Sequence, residues 1–338
     1  MKVLFIGGTG TISSACSQLA VERGIDLYLL NRGVTTIRPI PEQAKLINGD
    51  IRDKERLRTI LRDHSFDVVV DWVAYTPQHI ETDIELFRHK TGQYVFISTA
   101  SAYQKPLVKL PVTEDTPLDN PFWQYSRDKI ACEELLFKTW RHTGFPVTVV
   151  RPSHTYDQTR LPNHGRWTEI DRMKRGLPVV VHGDGTSVWV LTHHRDFARG
   201  LVGLLGNARA IGEAFHITSD ELLTWNGIFR ILAGEAGGTA NIINVPSAFI
   251  NAFDPEWGAG LLGDKAHSMI FDNSKIKEFV PDFKCTIPFS QGAREIIGWF
   301  NAHPEWRKVD ENYNQLLDRI ITAYQSAWPV KQGSKHDW

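Results

Sequence analysis

Tyr125 and Lys129 are the side chains in this sequence best suited to moving a proton together. They stand four residues apart, so on a helix both project from one face. An ammonium beside a phenol favours the phenolate and lowers the tyrosine pKa toward neutrality. Such a phenolate takes the hydroxyl proton of an alcohol while hydride leaves the same carbon. About 25 residues earlier, the apolar run Tyr94–Ile97 ends in two hydroxyl residues, Ser98 and Thr99. Thr99 is the first choice to bond the reacting oxygen, and Ser98 the second.

A departing hydride needs an acceptor, and the N-terminus offers a place for one. The apolar run Val3–Ile6 ends in Gly7-Gly8-Thr9-Gly10 and passes directly into a helical pattern through Thr11 and Ile12. This is how a first β-strand hands over to a helix whose N-terminus holds a dinucleotide pyrophosphate. Gly7 allows the tight turn, and Gly8 accepts a backbone angle that most residues cannot. Gly10 leaves room for phosphates to reach backbone N–H groups. Ser13 stands where a third glycine is expected and is still small enough for close helix–strand packing.

Holding these groups together requires a parallel sheet covered on both faces, and the first half of the chain alternates accordingly. Strands are expected at Val3–Ile6, Leu27–Leu30, Ala44–Ile47, Val68–Val70, Tyr94–Ile97 and Val147–Val150. Helices are expected over about 11–23, 53–62, 79–89 and 123–142. From Arg151 the pattern loosens. A helix near 167–175 and the short run Val179–Val181 leave the sheet, and 196–205 with Ala214–Thr218 return to it. The expected fold is α/β, a Rossmann-type doubly wound parallel sheet with a smaller C-terminal α/β substrate lobe. Residues 1–152, with return segments at about 194–218, form the dinucleotide-binding domain. Residues 153–193 and 219–329 form the substrate lobe, and 330–338 a polar tail.

Composition narrows the classes. A chain of 338 residues with 38 basic against 39 acidic side chains lacks the basic footprint of a dedicated nucleic-acid binder. Cys16, Cys132 and Cys285 are far apart and lack metal-type spacing, so they read as buried thiols in a reducing compartment. The adjacent pair His193-His194 has no acidic partner at ligand spacing, so no metal site is expected. No apolar stretch reaches membrane-spanning length, and the expected location is the cytoplasm.

Taken in order, these residues resemble the extended short-chain dehydrogenase/reductases, also called the NAD-dependent epimerase/dehydratase family. Gly7, Gly10 and Ser13 match its glycine motif, and Tyr125-Ser126-Arg127-Asp128-Lys129 its Tyr-x-x-x-Lys. Phe96–Tyr103 matches the segment after strand five, and Arg151-Pro152 the one after strand six. Gly183–Thr186, His193–Ala198, Phe215–Thr218 and Phe271–Lys275 match later landmarks. The resemblance implies a catalytic set of Thr99, Tyr125 and Lys129, with Lys129 also bonding the nicotinamide ribose. It implies cofactor contacts at Gly7, Gly10, Thr11, Ile12, Asn31, Arg32, Asp50, Ile51, Val73 and Lys129, with Asp50-Ile51 on the adenine. It also implies substrate contacts at Ser101, His154 and Trp189, and a homodimer through the 79–89 and 123–142 helices.

Departures from the family pattern bear on the reaction. Asn31-Arg32-Gly33 replaces the acid expected after strand two, which favours NADP and leaves NAD open. Ala100 and Ser101 stand where sugar 4,6-dehydratases carry acids, so elimination loses its acid/base pair. Trp189 replaces an arginine that grips a phosphate in nucleotide-sugar members. An indole stacks on a sugar face instead. Arg160, Arg166, Arg172 and Arg175 are substitutes for that contact, with surface charge as the plainer reading. The expected activity is NAD(P)-dependent epimerisation or oxidoreduction of a sugar or nucleotide-sugar. The alternatives are a one-way NADP-linked reductase and a non-catalytic, RNA-associated protein on the same fold.

Overall fold

The computed structural model describes residues 1–34 and 37–328, and the tail 330–338 lies outside them. Six strands follow in the first half of the chain: β1 (Lys2–Ile6), β2 (Asp26–Asn31), β3 (Lys45–Asn48), β4 (Phe66–Asp71), β5 (Thr91–Ile97) and β6 (Val147–Pro152). They join the return strand Ala214–Ile217 in one seven-stranded sheet of order return-β6-β5-β4-β1-β2-β3. Every pairing in it is parallel.

Successive strand residues point to opposite faces, and both faces are apolar, which is why the strands read as continuous hydrophobic runs. Val3, Phe5, Val68, Val70, Val95 and Ile97 pack with α1 (Ser13–Glu22) and the helix His194–Leu204. Leu4, Ile6, Val69, Tyr94 and Phe96 face the opposite core with Leu57 of α2 (Lys54–Ile60), Ile80 and Phe87 of α3 (Pro77–Phe87), and Leu136 of α4 (Gln124–Thr143). The chain order reverses at β1, which lies between β2 and β4. Open α/β sheets bind ligands beyond the carboxyl ends of strands at such a switch.

Outside the sheet lie three two-stranded ribbons. They pair His154–Tyr156 with Leu191–His193, Val188–Trp189 with Leu223–Thr224, and Val179–His182 with Ile242–Val245. Several of these strands are two or three residues long, too short for periodicity to reveal. The same applies to the short helices Ser247–Phe253, Pro255–Gly260 and Ser274–Phe279, which the sequence reading lacked. Among the described residues, no helix is long and apolar enough to cross a membrane.

Candidate active site

The glycine turn after β1 is built for close approach. The left-handed angle expected at Gly8 falls instead on Gly7, at φ 91°. A Cβ on Gly7 would sit 2.7 Å from Val73 Cγ1. Gly8 is required by space: its Cβ would lie 2.5 Å from Leu29 Cδ2 and 2.9 Å from Ser17 Oγ. Ser13 does more than fit. Its hydroxyl donates to Gly7 O at 2.8 Å and accepts from the Gly10 N–H at 2.7 Å. That N–H is therefore already engaged. α1 starts with no side-chain cap and no acid in its first turn. Its leading N–H groups and positive end are thus the part of the turn that suits a pyrophosphate.

One cleft of about 1010 Å³ runs from this turn to Tyr125. The candidate catalytic, cofactor-binding and substrate-contacting residues all line it. Gly7, Gly10, Thr11, Ile12, Asn31, Arg32, Asp50, Ile51 and Val73 form the end nearest the glycine turn, and Thr99, Ser101, Tyr125, Lys129, His154 and Trp189 the other. Arg32 and Asp50, both well exposed, form a loose ion pair at 3.8 Å.

Lys129 is buried and tethered. Its Nζ donates to Ala74 O and Ile97 O, each at 2.7 Å, which leaves one ammonium proton for a ligand. The rings of Phe96 and Tyr75 lie 4.7 and 4.8 Å from Nζ. Burial lowers the pKa of this ammonium to about 8. The expected lowering of the Tyr125 pKa is not found. Burial is the largest influence and pushes the phenol up to about 12. Thr99 and the positive charge of Arg160 pull it down, while Tyr75 and Asp264 add to the rise. Lys129 Nζ lies 6.0 Å from the Tyr125 ring, so the lysine is not the cation acting on the phenol here.

Thr99 sits at the carboxyl end of β5, with its hydroxyl in a buried chain. Thr99 Oγ1 is 3.0 Å from Ser101 Oγ, which is 2.7 Å from Ser126 Oγ. Ser101 thus bonds Thr99. Ser98, the second choice for the hydroxyl role, also lines the cleft, but its hydroxyl donates to Glu133, which also holds Arg151 at 2.7 Å.

Behind Lys129 lies a pair of buried acids. Asp71 Oδ1 accepts from the N–H groups of Val73 and Ala74, at 2.5 and 2.8 Å, and Asp83 Oδ2 accepts from Tyr94 at 2.6 Å. Asp71 Oδ2 and Asp83 Oδ1 have no other donor. Burial and the neighbouring Asp71 charge raise the Asp83 pKa well above the usual range. A proton held by Asp83 toward Asp71 satisfies both oxygens.

A sequence model of the NAD dependent epimerase/dehydratase family matches residues 3–218. The chain belongs to this family. It is 28% identical over 328 residues to the chloroplast stem-loop binding protein of 41 kDa b from Arabidopsis thaliana, covering 93% of this chain and 78% of the relative. It is 33% identical over 169 residues to a UDP-glucose 4-epimerase from Lactobacillus helveticus, covering 45% and 51%. The fold superimposes on UDP-glucuronic acid 4-epimerase from Bacillus cereus, solved with UDP-glucuronic acid and NAD, with a TM-score of 0.72 at 20% identity, covering 89% of this chain and 99% of that one.

Within this family member the four arginines raised from the sequence separate. Arg172 is taken up by Pro178 O, Asn314 and Asp318, and Arg175 by Asp171. Arg166 donates to Leu161 O at 2.5 Å, from a backbone held at φ 52°. Only Arg160 lines the cleft. His193 caps its helix and meets Glu295 at 3.2 Å. Among the described residues no group of three or more metal-ligating side chains occurs.

Three charged cleft residues escaped the sequence reading. Arg38 bonds Asp157 at 2.5 Å, Thr159 at 2.5 Å and Thr11 at 3.2 Å, so it straps the loop after β2 over the start of α1 and onto the segment after β6. Asp264 and Lys265 enter from a single turn, Leu261–Lys265, closed by an i to i+5 bond from Ala266 N to Leu261 O at 2.9 Å. No local pattern announces such a π turn, although such turns recur at functional sites.

Proposed function

We propose that this chain is an NAD(P)-dependent epimerase or oxidoreductase acting at a carbinol carbon of a sugar or nucleotide-sugar. The observation that carries this reading is the single cleft joining the uncapped start of α1 to Tyr125, with Thr99 and Lys129 beside it. A bound nicotinamide dinucleotide supplies hydride transfer at that carbon. Tyr125 takes the hydroxyl proton and returns it, Thr99 holds the same oxygen, and Lys129 offers its remaining proton to the ribose. Ala100 and Ser101 supply no acid for elimination, so epimerisation through a transient keto sugar is favoured over dehydration.

The cofactor is NAD or NADP. Asn31 and Arg32 favour NADP, whereas the Asp50 carboxylate beside Arg32 opposes a 2′-phosphate, and the solved epimerase named above holds NAD. The proposed assembly is a homodimer through α3 and α4. The deciding experiment incubates the pure protein with UDP-sugars and each dinucleotide, and follows product by NMR and cofactor by absorbance. An epimerase turns over without consuming cofactor, and a reductase consumes one equivalent per turnover. Failure of both dinucleotides to bind refutes the proposal.

A second reading, RNA association without catalysis, is favoured by the similarity to the stem-loop binding protein over 93% of the chain. Salt-dependent RNA binding that is unaffected by Tyr125→Phe supports it.

A further inference from the structure

The cations that line the cleft differ in what they touch. Arg32 faces Asp50, Arg38 is bonded to Asp157, Arg52 donates to Val73 O, and Lys129 donates to two carbonyls. These four belong to the glycine-turn end or to the tyrosine itself. The remaining two, Arg160 and Lys265, lie toward the substrate end, and neither side chain makes a hydrogen bond among the described residues. Lys265 Nζ has the Asp264 carboxylate at 3.9 Å and the Trp123 ring, whose centroid is 5.3 Å away. In a chain of net charge −1, a cleft lined by six lysine or arginine side chains and two aspartates is a local concentration of positive charge.

Both free heads sit on tightly held backbone. Lys265 O accepts from His182 Nε2 at 2.8 Å and from Ser187 Oγ at 3.3 Å. Its turn is fixed to the start of α4 by Asn120 Nδ2, which bonds Gly263 O at 2.6 Å and Ser101 O at 2.8 Å. A Cβ on Gly263 would meet Trp123 Cβ at 2.7 Å, so this turn docks directly against the segment that leads to Tyr125. Arg160 follows a turn built on Asp157, whose carboxylate accepts from Thr159 N and Oγ1 at 2.9 and 2.8 Å and from Arg38 at 2.5 Å. Burial lowers the pKa of both, with Arg38 adding to the fall at Arg160 and Arg160 to the fall at Lys265, so holding these charges in the cleft is unfavourable without a compensating anion. Of the acids that act on them, Asp157 is already held by Arg38 and Thr159, and Asp264 is pushed by burial toward its neutral form.

We propose that Arg160 and Lys265 form an oxyanion subsite for a phosphoryl or carboxylate group carried on the substrate. This rests on the functional reading above for the position of the reacting carbon at Tyr125. A guanidinium offers a planar fork of donors and an ammonium a point charge, a combination suited to an oxyanion. The subsite lies on a different segment from Trp189, whose indole leaves that wall apolar, so the substrate presents an apolar sugar face to Trp189 and its charge to Arg160 and Lys265. Arg160 also stabilises the Tyr125 phenolate, so an anion seated on it couples substrate charge to the acid/base group.

The test titrates inorganic phosphate into the protein at constant ionic strength, with saturating dinucleotide to cover the α1 end. Quenching of tryptophan fluorescence is the signal, because Trp123 and Trp189 line the same cleft. Saturable binding is expected, weakened about tenfold or more by Arg160→Gln and by Lys265→Gln, and unchanged by the surface variant Arg175→Gln. Arg160→Lys and Lys265→Arg keep the charge and are expected to keep binding, which guards against a fold defect in the glutamine variants. Acetate run in parallel separates the sources: tighter phosphate identifies a phosphoryl group, tighter acetate a carboxylate. Absence of saturable binding, or equal binding by both glutamine variants, overturns the subsite. If no dinucleotide binds, the redox reading fails by itself, and phosphate titration of the protein alone still decides the subsite.

Discussion

The indole N–H of Trp189 donates to Nδ1 of His154 at 3.1 Å. An indole nitrogen can only donate, so Nδ1 must be the accepting nitrogen and the ring proton sits on Nε2. A second proton would set two donors face to face. Burial and the charges of Lys265, Arg160 and Arg166 all lower the His154 pKa well below its usual value. His154 therefore meets the cleft as a neutral donor. Nitrogen-15 NMR between pH 5 and 8 is expected to show one tautomer, protonated at Nε2. Trp189→Phe is expected to lose about 1–3 kcal/mol in urea unfolding, because Nδ1 keeps no donor. Two tautomers in the wild-type protein, or titration near pH 6.5, would contradict the assignment.

Other histidines extend this into a pH prediction. Burial pushes His164, His182, His193, His194 and His216 down to about 4. Below the ordinary histidine pKa of about 6.5 the unfolded chain binds protons that the folded chain refuses. Stability therefore falls as pH drops from about 6.5 toward 4, and rises with pH across that window. Urea midpoints measured from pH 4 to 8 should follow this slope, and a variant lacking one of these histidines, His216→Gln, should flatten it.

Tyr125, raised to about 12 by burial, is protonated across the neutral range in the free protein. The rate of alcohol oxidation is therefore expected to rise with pH on an alkaline limb. Since Arg160 pulls the phenol down, Arg160→Gln should move that limb to higher pH. Tyr125→Phe should lower kcat by about 10²–10⁴-fold and leave dinucleotide binding intact. A pH profile identical in Arg160→Gln would refute the coupling.

The candidate cleft was legible in the sequence where chemistry rides on long, regular elements. Tyr125 and Lys129 lie on one twenty-residue helix, and Gly7–Ser13 on a strand-to-helix turn, so spacing together with the order of the surrounding motifs brought them out. Desolvation was not legible. The Tyr125 pKa runs opposite to the expectation because burial outweighs a lysine 6.0 Å from the ring. Asp264 and Lys265 were missed because their turn is defined by one backbone bond and by docking of Gly263 onto Trp123 and onto Asn120, 143 residues away. Arg38 reaches Asp157 across a separation of 119 residues, which no local pattern encodes.

Arg38 makes its own prediction. Asp157 is almost fully buried, and Arg38 is its cation. Arg38→Gln leaves that carboxylate with the two Thr159 donors alone, so a loss of about 2–3 kcal/mol is expected, less than for a buried charge stripped of every partner. Because Arg38 also reaches Thr11 at the start of α1, dinucleotide release should quicken in the same variant. Stopped-flow displacement checks the second effect, and unchanged release would limit Arg38 to stability.

The paired acids behind Lys129 give the sharpest test of a proton. Asp71 holds the Val73 and Ala74 N–H groups, and Ala74 O in turn holds Lys129 Nζ. With the folded pKa of Asp83 raised above its unfolded value, the folded chain keeps a proton that the unfolded chain releases. The stability this contributes is complete below about pH 3.9, and it declines as pH rises toward the folded pKa. Asp83→Asn supplies a permanent donor to Asp71 and an acceptor to Tyr94, so it should match or exceed the wild type at pH 8 and lose its advantage at low pH. Asp83→Ala removes both bonds and leaves the Tyr94 hydroxyl and Asp71 Oδ2 without partners, which should cost about 2–4 kcal/mol. Urea unfolding of the three proteins at pH 5 and pH 8 decides the matter. If Asp83→Asn is as damaging as Asp83→Ala at both values, no proton is shared between Asp71 and Asp83.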